Sequence, residues 1–262
     1  MSMHDIEDLR PKVIVSFSGG KDSTWMLLEM LRRGEHIDSV AFFDTGWEFP
    51  QMYEHVKRIK SIVEENGIEF VTIHPEHSFD YYMFDKPVKN GHHYGYSWCG
   101  YKGCRWGTEI KTRLLDNYYR NQPNHVKCVG IAADEPQRVG KNGSENKRYP
   151  LVEWGITEQE CLQGCYSLGF DWGGLYEQLD RVSCRFCALK NLKELRNICF
   201  NMPDVWAELR DYQARTDRPY KGDEKSVFDL EIRFALEKEF EAAGKSTRSR
   251  EFFAELRKRI SK

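Results

Sequence analysis

The stretch V-I-V-S-F-S-G-G-K-D-S-T, residues 13–24, decides how the rest of the chain is read. Val13, Ile14 and Val15 are β-formers in a short apolar run, the pattern of a buried strand. Ser18, Gly19 and Gly20 follow, and then Trp25, Met26, Leu27, Leu28, Met30 and Leu31 fall in a helical pattern. Strand, glycine turn and helix in that order point free backbone N–H groups at an anion. Gly19 and Gly20 can take positive φ and carry no side chain to obstruct a phosphate. Ser18, Ser23 and Thr24 add hydroxyls, Lys21 a positive charge and Asp22 a carboxylate.

Two better-known phosphate loops are excluded. A Walker loop places a glycine well ahead of Gly-Lys and a Ser or Thr after it; Val15 and Asp22 stand at those positions. The dinucleotide fingerprint needs three glycines, and two are present. S-G-G-K-D-S-T instead resembles the PP-loop, SGGxDS/T, of the adenine nucleotide α-hydrolase superfamily. A plain βα turn with no ligand would not require two glycines, three hydroxyls and a lysine together.

At 262 residues the chain is long enough for one large domain, or a domain with a small annex. Charged residues at 31% and hydrophobic ones at 40% read as soluble and globular. No apolar run approaches membrane-spanning length, and the polar, acidic start M-S-M-H-D-I-E-D-L-R is unlike a signal peptide, so a cytoplasmic location is expected. A net charge of −2 gives no overall drive toward nucleic acid. Eight cysteines in a cytosolic chain point to metal, catalysis or burial before disulfides.

Strands are expected at 13–17, 39–43, 69–73 and 126–132, with helices at 22–33, from Pro50 to Asn66, at 108–120 and at 157–168. Thr157 with Glu160 three residues on is a capping box. The alternation implies a parallel sheet covered on both faces. Phe43, Asp44 and Thr45 end the second strand, where a carboxylate can accept from a ribose or approach phosphates. Gly130 lies within the fourth, ahead of the acidic turn bearing Arg138. Periodicity stops over 77–101, a Tyr/His/Gly/Trp-rich stretch too long for an ordinary connector. His74, His77, His92 and His93 in or near it are read as surface or packing residues. The polar run 141–148 is expected to be a mobile loop. Residues 191–262 are mostly helical by pattern, with breaks at Pro203, Pro219 and Gly244.

Cys184-x-x-Cys187 can chelate one metal from a single turn. Cys99-x4-Cys104 supplies a second pair, and four thiolates in two loops suit either zinc or a [4Fe–4S] cluster. Cys128 and Cys199 fit a strand and a helical stripe, and Cys161 with Cys165 fits the core face of one helix.

Read in order, S-F-S-G-G-K-D-S-T, D-T-G-W-E-F-P, C-R-W-G-T-E-I-K, G-I-A-A-D-E-P-Q-R, Y-P-L-V-E-W, G-G-L-Y and C-R-F-C resemble the phosphoadenosine phosphosulfate reductase-like branch of the PP-loop superfamily. The resemblance covers roughly residues 12–190. It implies an α/β fold with a mostly parallel five- or six-stranded sheet, helices on both faces, and an adenine nucleotide on the carboxyl edge. The division expected is a nucleotide-binding domain with the cysteine cluster at 1–190 and a helical extension at 191–262. The resemblance puts the nucleotide on Ser16, Phe17, Ser18, Gly19, Gly20, Lys21, Asp22, Ser23, Thr24, Phe43, Asp44, Thr45 and Gly130. In iron–sulfur members, cysteines equivalent to Cys104, Cys184 and Cys187 hold a [4Fe–4S] cluster. Cys104 follows Gly103 where such reductases carry adjacent cysteines, so Cys99 is the candidate fourth ligand.

Sulfonucleotide reductases carry a nucleophilic cysteine in a C-terminal motif, and no cysteine follows Cys199 here. The loop is also intact, as in members that cleave ATP between the α- and β-phosphates. The leading expectation is therefore adenylylation of a substrate by ATP and Mg²⁺, in sulfur transfer, with Lys21, Asp22, Lys111 and Arg138 as catalytic candidates. One alternative is a reductase using another thiol such as Cys99. The other is a nucleotide-binding subunit of a nucleic-acid modification assembly. Partners expected besides the nucleotide are a nucleic acid or sulfur-donor protein, and a second copy of the chain in a homodimer; no membrane is expected. The tail 245–262, with seven Lys/Arg against two Glu, reads as a solvated amphipathic helix before an RNA or DNA contact.

Overall fold

The computed structural model describes residues 10–89, 91–98, 104, 106, 110–139, 146–221 and 225–261. The chain divides into two compact units, Met1–Glu76 with Ile110–Glu177, and His77–Glu109 with Gln178–Lys262. The second unit takes in 77–109 and 178–190 as well as the helical tail.

The first unit is built on a parallel sheet of β1 (Lys12–Phe17), β2 (Ser39–Phe43), β3 (Glu69–Ile73), β4 (His125–Val129) and β5 (Lys147–Arg148), in the order β3-β2-β1-β4-β5. Ile14 pairs with Ser39 on one side and Lys127 on the other, so β1 is central. Two faces follow from the period of two. Phe17, Phe42 and Phe70 form a ring cluster with centroids 6.0–6.4 Å apart, and Phe17 lies 6.4 Å from His55 of α2 (Pro50–Glu65). On the opposite face, Ile14 and Ala41 meet Tyr119 of α3 (Thr112–Arg120). All five residues of β2 are buried, as its unbroken apolar run S-V-A-F-F requires.

The helix after β1 is α1 (Lys21–Arg32), which lies against α4 (Glu158–Ser167). Their close approach depends on Gly164, where a Cβ would come within 2.6 Å of the Trp25 ring. The capping box starts α4, with Thr157 accepting from Glu160 N–H and Glu160 accepting from Thr157 N–H.

Two expectations are corrected. β4 ends at Val129, ahead of Ala132, because Ile131 N–H turns back to the Val129 carbonyl (3.0 Å). Lys147 and Arg148, read as the end of a mobile loop, form an edge strand; Arg148 is fixed by Glu35 and Glu153. Residues 141–145 of that stretch lie outside the described residues.

The second unit contains a π-helical turn (Tyr81–Asp85), an antiparallel ribbon of Pro87–Val88 with His93–Tyr94, and the helices α5 (Leu192–Asn201), α6 (Pro203–Ala214), α7 (Val227–Ala242) and α8 (Arg250–Ile260). Trp98, Tyr212, Tyr220, Phe84 and Phe186 form its aromatic core, with ring centroids 4.9–6.4 Å apart. Among the described residues, no helix is long and apolar enough to cross a membrane.

Candidate functional site

The strand order reverses at β1, with β2 on one side and β4 on the other, the place at whose carboxyl edge open α/β sheets bind ligands. The chain leaves β1 at Phe17 and enters α1 at Lys21. Gly19 sits at φ +79°, and a Cβ would fall 2.5 Å from Met52 Sδ, so backbone and packing both demand glycine. Gly20 is the N-cap, extended at φ −75° and ψ 164°, and has no side chain with which to cap the helix; the first helical N–H, that of Lys21, goes to the Tyr176 hydroxyl. The N–H groups after Lys21 in this first turn, and the positive end of the helix dipole, suit an anion.

The hydroxyls shape this turn. Ser23 Oγ donates to the Gly20 carbonyl (3.0 Å) and receives Ser18 N–H (3.2 Å) and the Ser18 hydroxyl (2.9 Å). Thr24 is fully buried, with Oγ1 2.9 Å from His55 Nε2. Phe17 is buried in the α2-side ring cluster, so it offers a ligand only its backbone. Lys21 Nζ donates to Asp22 Oδ1 (2.8 Å) and Glu158 Oε2 (2.7 Å). Burial by itself lowers the Lys21 pKa; hydrogen bonds to these two carboxylates outweigh it and leave the ammonium raised. Burial raises Asp22 despite its contact with Lys21.

A segment distant in sequence holds the turn from beneath. Trp172, Gly173 and Gly174 all lie in the left-handed region, at φ +51°, +56° and +79°. The resulting arch brings the Trp172 indole N–H to the Gly19 carbonyl (2.8 Å) and the Tyr176 hydroxyl to Lys21 N–H (2.8 Å). His55 lies 4.5 Å from the Trp172 ring, and burial, then the charge of Arg58, drives its pKa down to about 4. His55, Trp172 and Glu158 escaped the sequence reading, and Tyr176 entered it only within G-G-L-Y. The signal for the last was a glycine pair between aromatics.

At the end of β2, Asp44 Oδ1 accepts from Gly46 N–H and the Tyr53 hydroxyl, both at 2.8 Å. Thr45 is buried and donates to Glu48 (2.8 Å). Lys111 Nζ lies 5.9 Å from the Phe43 ring centroid, which brings these two expected residues together. Beyond β4, a Cβ on Gly130 would fall 2.9 Å from Ser23 N and Cα, so the two strand ends meet at the turn. Arg138 is paired with Glu135, and Asp134 accepts from Glu158 N–H (3.0 Å). Cys161 and Cys165 are fully buried beneath Lys21, and burial raises both thiols, Cys165 to about 12. That is the state of packing cysteines.

In the second unit, Cys184 and Cys187 share one turn, closed by Cys187 N–H to the Cys184 carbonyl (3.0 Å). The Tyr220 hydroxyl donates to the Cys187 carbonyl (2.7 Å), and buried Lys190 donates to Ser183 Oγ (2.9 Å). Two thiols on so fixed a turn fit half of a tetrahedral thiolate set. Cys104 belongs to the same unit; Cys99 lies outside the described residues. Among the described residues, no three His, Cys, Asp or Glu gather as a metal set.

The model of the phosphoadenosine phosphosulfate reductase domain matches residues 12–155, from β1 past β5. The chain belongs to that family. The reductase-domain match thus contains the glycine turn, the β2 and β4 ends and Lys111, and stops short of the arch and of Cys184–Cys187. An uncharacterised protein of Methanocaldococcus jannaschii is 26% identical over 232 residues, covering 80% of this chain and 44% of that relative. The chain thus spans under half the length of the relative. The U34-tRNA thiolase of Methanococcus maripaludis, solved with its [4Fe–4S] cluster, is 18% identical over 78% of this chain and 72% of its own, with a TM-score of 0.42. That overlap is too loose to assign chemistry.

Proposed function

We propose that the chain binds ATP with Mg²⁺ at the glycine turn and transfers its adenylyl group. A substrate oxygen bonds to the α-phosphorus, the bond to the bridging oxygen of the β-phosphate breaks, and pyrophosphate leaves. The glycine turn of Gly19 and Gly20 at the start of α1, at the sheet's switch point, carries this reading. Its backbone donors and Ser18 would hold the leaving pyrophosphate, and Lys21 would neutralise it once Glu158 lets go. Asp22 or Asp44 would ligate Mg²⁺. Lys111 and Arg138 would stabilise charge on the transferring group. Membership of the reductase-domain family supports an adenine nucleotide as the ligand.

Sulfur transfer to a nucleobase is the most concrete version, with a nucleic acid or sulfur-donor protein as partner and a reducing cytoplasm for the thiols. Cys99, Cys104, Cys184 and Cys187 would hold a [4Fe–4S] cluster, with zinc as the alternative. Such a cluster would supply an iron able to carry sulfur.

The test is incubation with α-labelled ATP, Mg²⁺ and candidate acceptors such as unmodified tRNA. Release of AMP and pyrophosphate supports the reading; absence of both with every acceptor removes it. The family match also favours a second reading, reduction of a sulfonucleotide. Sulfite release from phosphoadenosine phosphosulfate, abolished by Cys99→Ser, would identify that reaction.

A further inference from the structure

We infer that the Tyr176 hydroxyl is a phosphate-binding donor, which relays the pull of the α1 N-terminus to the phosphate chain of the bound nucleotide. This rests on the nucleotide reading above and names one more group that grips the ligand. The hydroxyl oxygen accepts Lys21 N–H, the first helical N–H of α1, at 2.8 Å. It lies 3.4 Å from the position a Cβ would take on Gly20, directly beside the turn. Among the described residues, no acceptor is found for the phenol's own proton, and the side chain is half-buried. A hydroxyl that has accepted a helix-terminal N–H is polarised toward donating, because hydrogen bonds in a chain strengthen one another. An anion beside Gly20 is the acceptor such a group requires. Burial raises the phenol pKa, so the proton stays on the oxygen across the physiological range.

The placement is built. The Tyr176 ring stands edge-on to Trp172 at 4.8 Å, and the Trp172 indole holds the Gly19 carbonyl on the other side of the same turn. Holding a non-glycine residue at φ +51° costs on the order of 1–3 kcal/mol, so the arch is maintained against strain. A fully buried leucine, Leu175, anchors it between the glycines and the tyrosine. The arch lies beyond residue 155, outside the residues that the family model matches.

Tyr176→Phe removes the oxygen and keeps the ring. Binding of pyrophosphate, ATP and adenosine is measured by calorimetry on the full chain and the variant, with thermal unfolding as a control. The expected result is a pyrophosphate and ATP Kd raised about tenfold or more, the range of a hydrogen bond to a charged group, with adenosine unchanged. Pyrophosphate binding equal to or tighter than the parent's overturns the inference, since the hydroxyl is then a mere cap or a plug. An equal loss for adenosine also overturns it, since the turn has then collapsed. If the parent itself binds neither ATP nor pyrophosphate, it is the nucleotide reading that fails. Should the variant not fold, 3-fluorotyrosine placed at 176 alone keeps the test. Its ¹⁹F resonance must move on adding pyrophosphate and stay still with adenosine; no movement refutes the contact.

Discussion

His55 should make the nucleotide turn acid-labile, and the size of the effect follows from its surroundings. The ring is 6% exposed, stacked near Trp172, edge-on to Phe170 at 5.5 Å, and bonded to Thr24. Burial holds its folded pKa near 4, against an ordinary 6.5. The unfolded chain therefore takes up a proton first as pH falls, so stability present above about 6.5 is lost as pH drops toward 4. Integrating that difference gives a loss of about 2 kcal/mol between about pH 7 and about pH 5, rising to about 3 kcal/mol below the folded value. The assay is urea unfolding across that range for the parent and for His55→Gln, which keeps a polar partner for Thr24 and does not titrate. The parent's stability should fall more steeply than the variant's by about 2 kcal/mol over those two pH units. Parallel curves would show that His55 is not held neutral, and the reasoning from burial would fail.

Glu158→Gln leaves Asp22 as the carboxylate on Lys21 and should tighten pyrophosphate binding several-fold by calorimetry, a modest gain because Glu158 is 41% exposed on its side chain. Gly130→Ala pushes a methyl into Ser23 and should cost about 2 kcal/mol in urea unfolding and weaken ATP binding. Cys184→Ser should bring iron content after anaerobic reconstitution close to background. Cys199→Ser should leave it unchanged, since burial raises that thiol to about 11.

The central strands and their connections were legible because their patterns are local. Residues 39–43 and 69–73 are unbroken β-forming runs between turn residues, and both bounds match the structure. The capping box of α4 needs two side chains three residues apart, and both are visible in T-E-Q-E. The glycine turn announced itself through residue types that only a special backbone needs. What holds the turn did not, because Tyr176 reaches Lys21 across 155 positions and Glu158 reaches it across 137. His55 reads as one more residue on an amphipathic helix until Trp172 and Thr24 are placed around it. Ser23 and Thr24 read as ligand donors, and what their types could not tell is that the hydroxyls also meet Gly20 and His55. A polar edge strand such as Lys147–Arg148 has no apolar run to reveal it; its partners, Glu35 and Glu153, are supplied by the fold.

The two units interleave along the chain, and this orders events during synthesis. The first unit lacks its β4 until residues 125–129 have left the ribosome, yet everything it needs has emerged by Glu177. The segment His77–Glu109 is made earlier but belongs with helices that end near residue 260. Trp98, which packs on Tyr212 and Tyr220, must therefore wait without those partners while more than half the polypeptide is still being made. A nascent chain from which Glu177 has emerged would hold the glycine turn and its arch before Cys184 and Cys187 had appeared. Loading of any metal would then be a late step, following completion of the C-terminal helices.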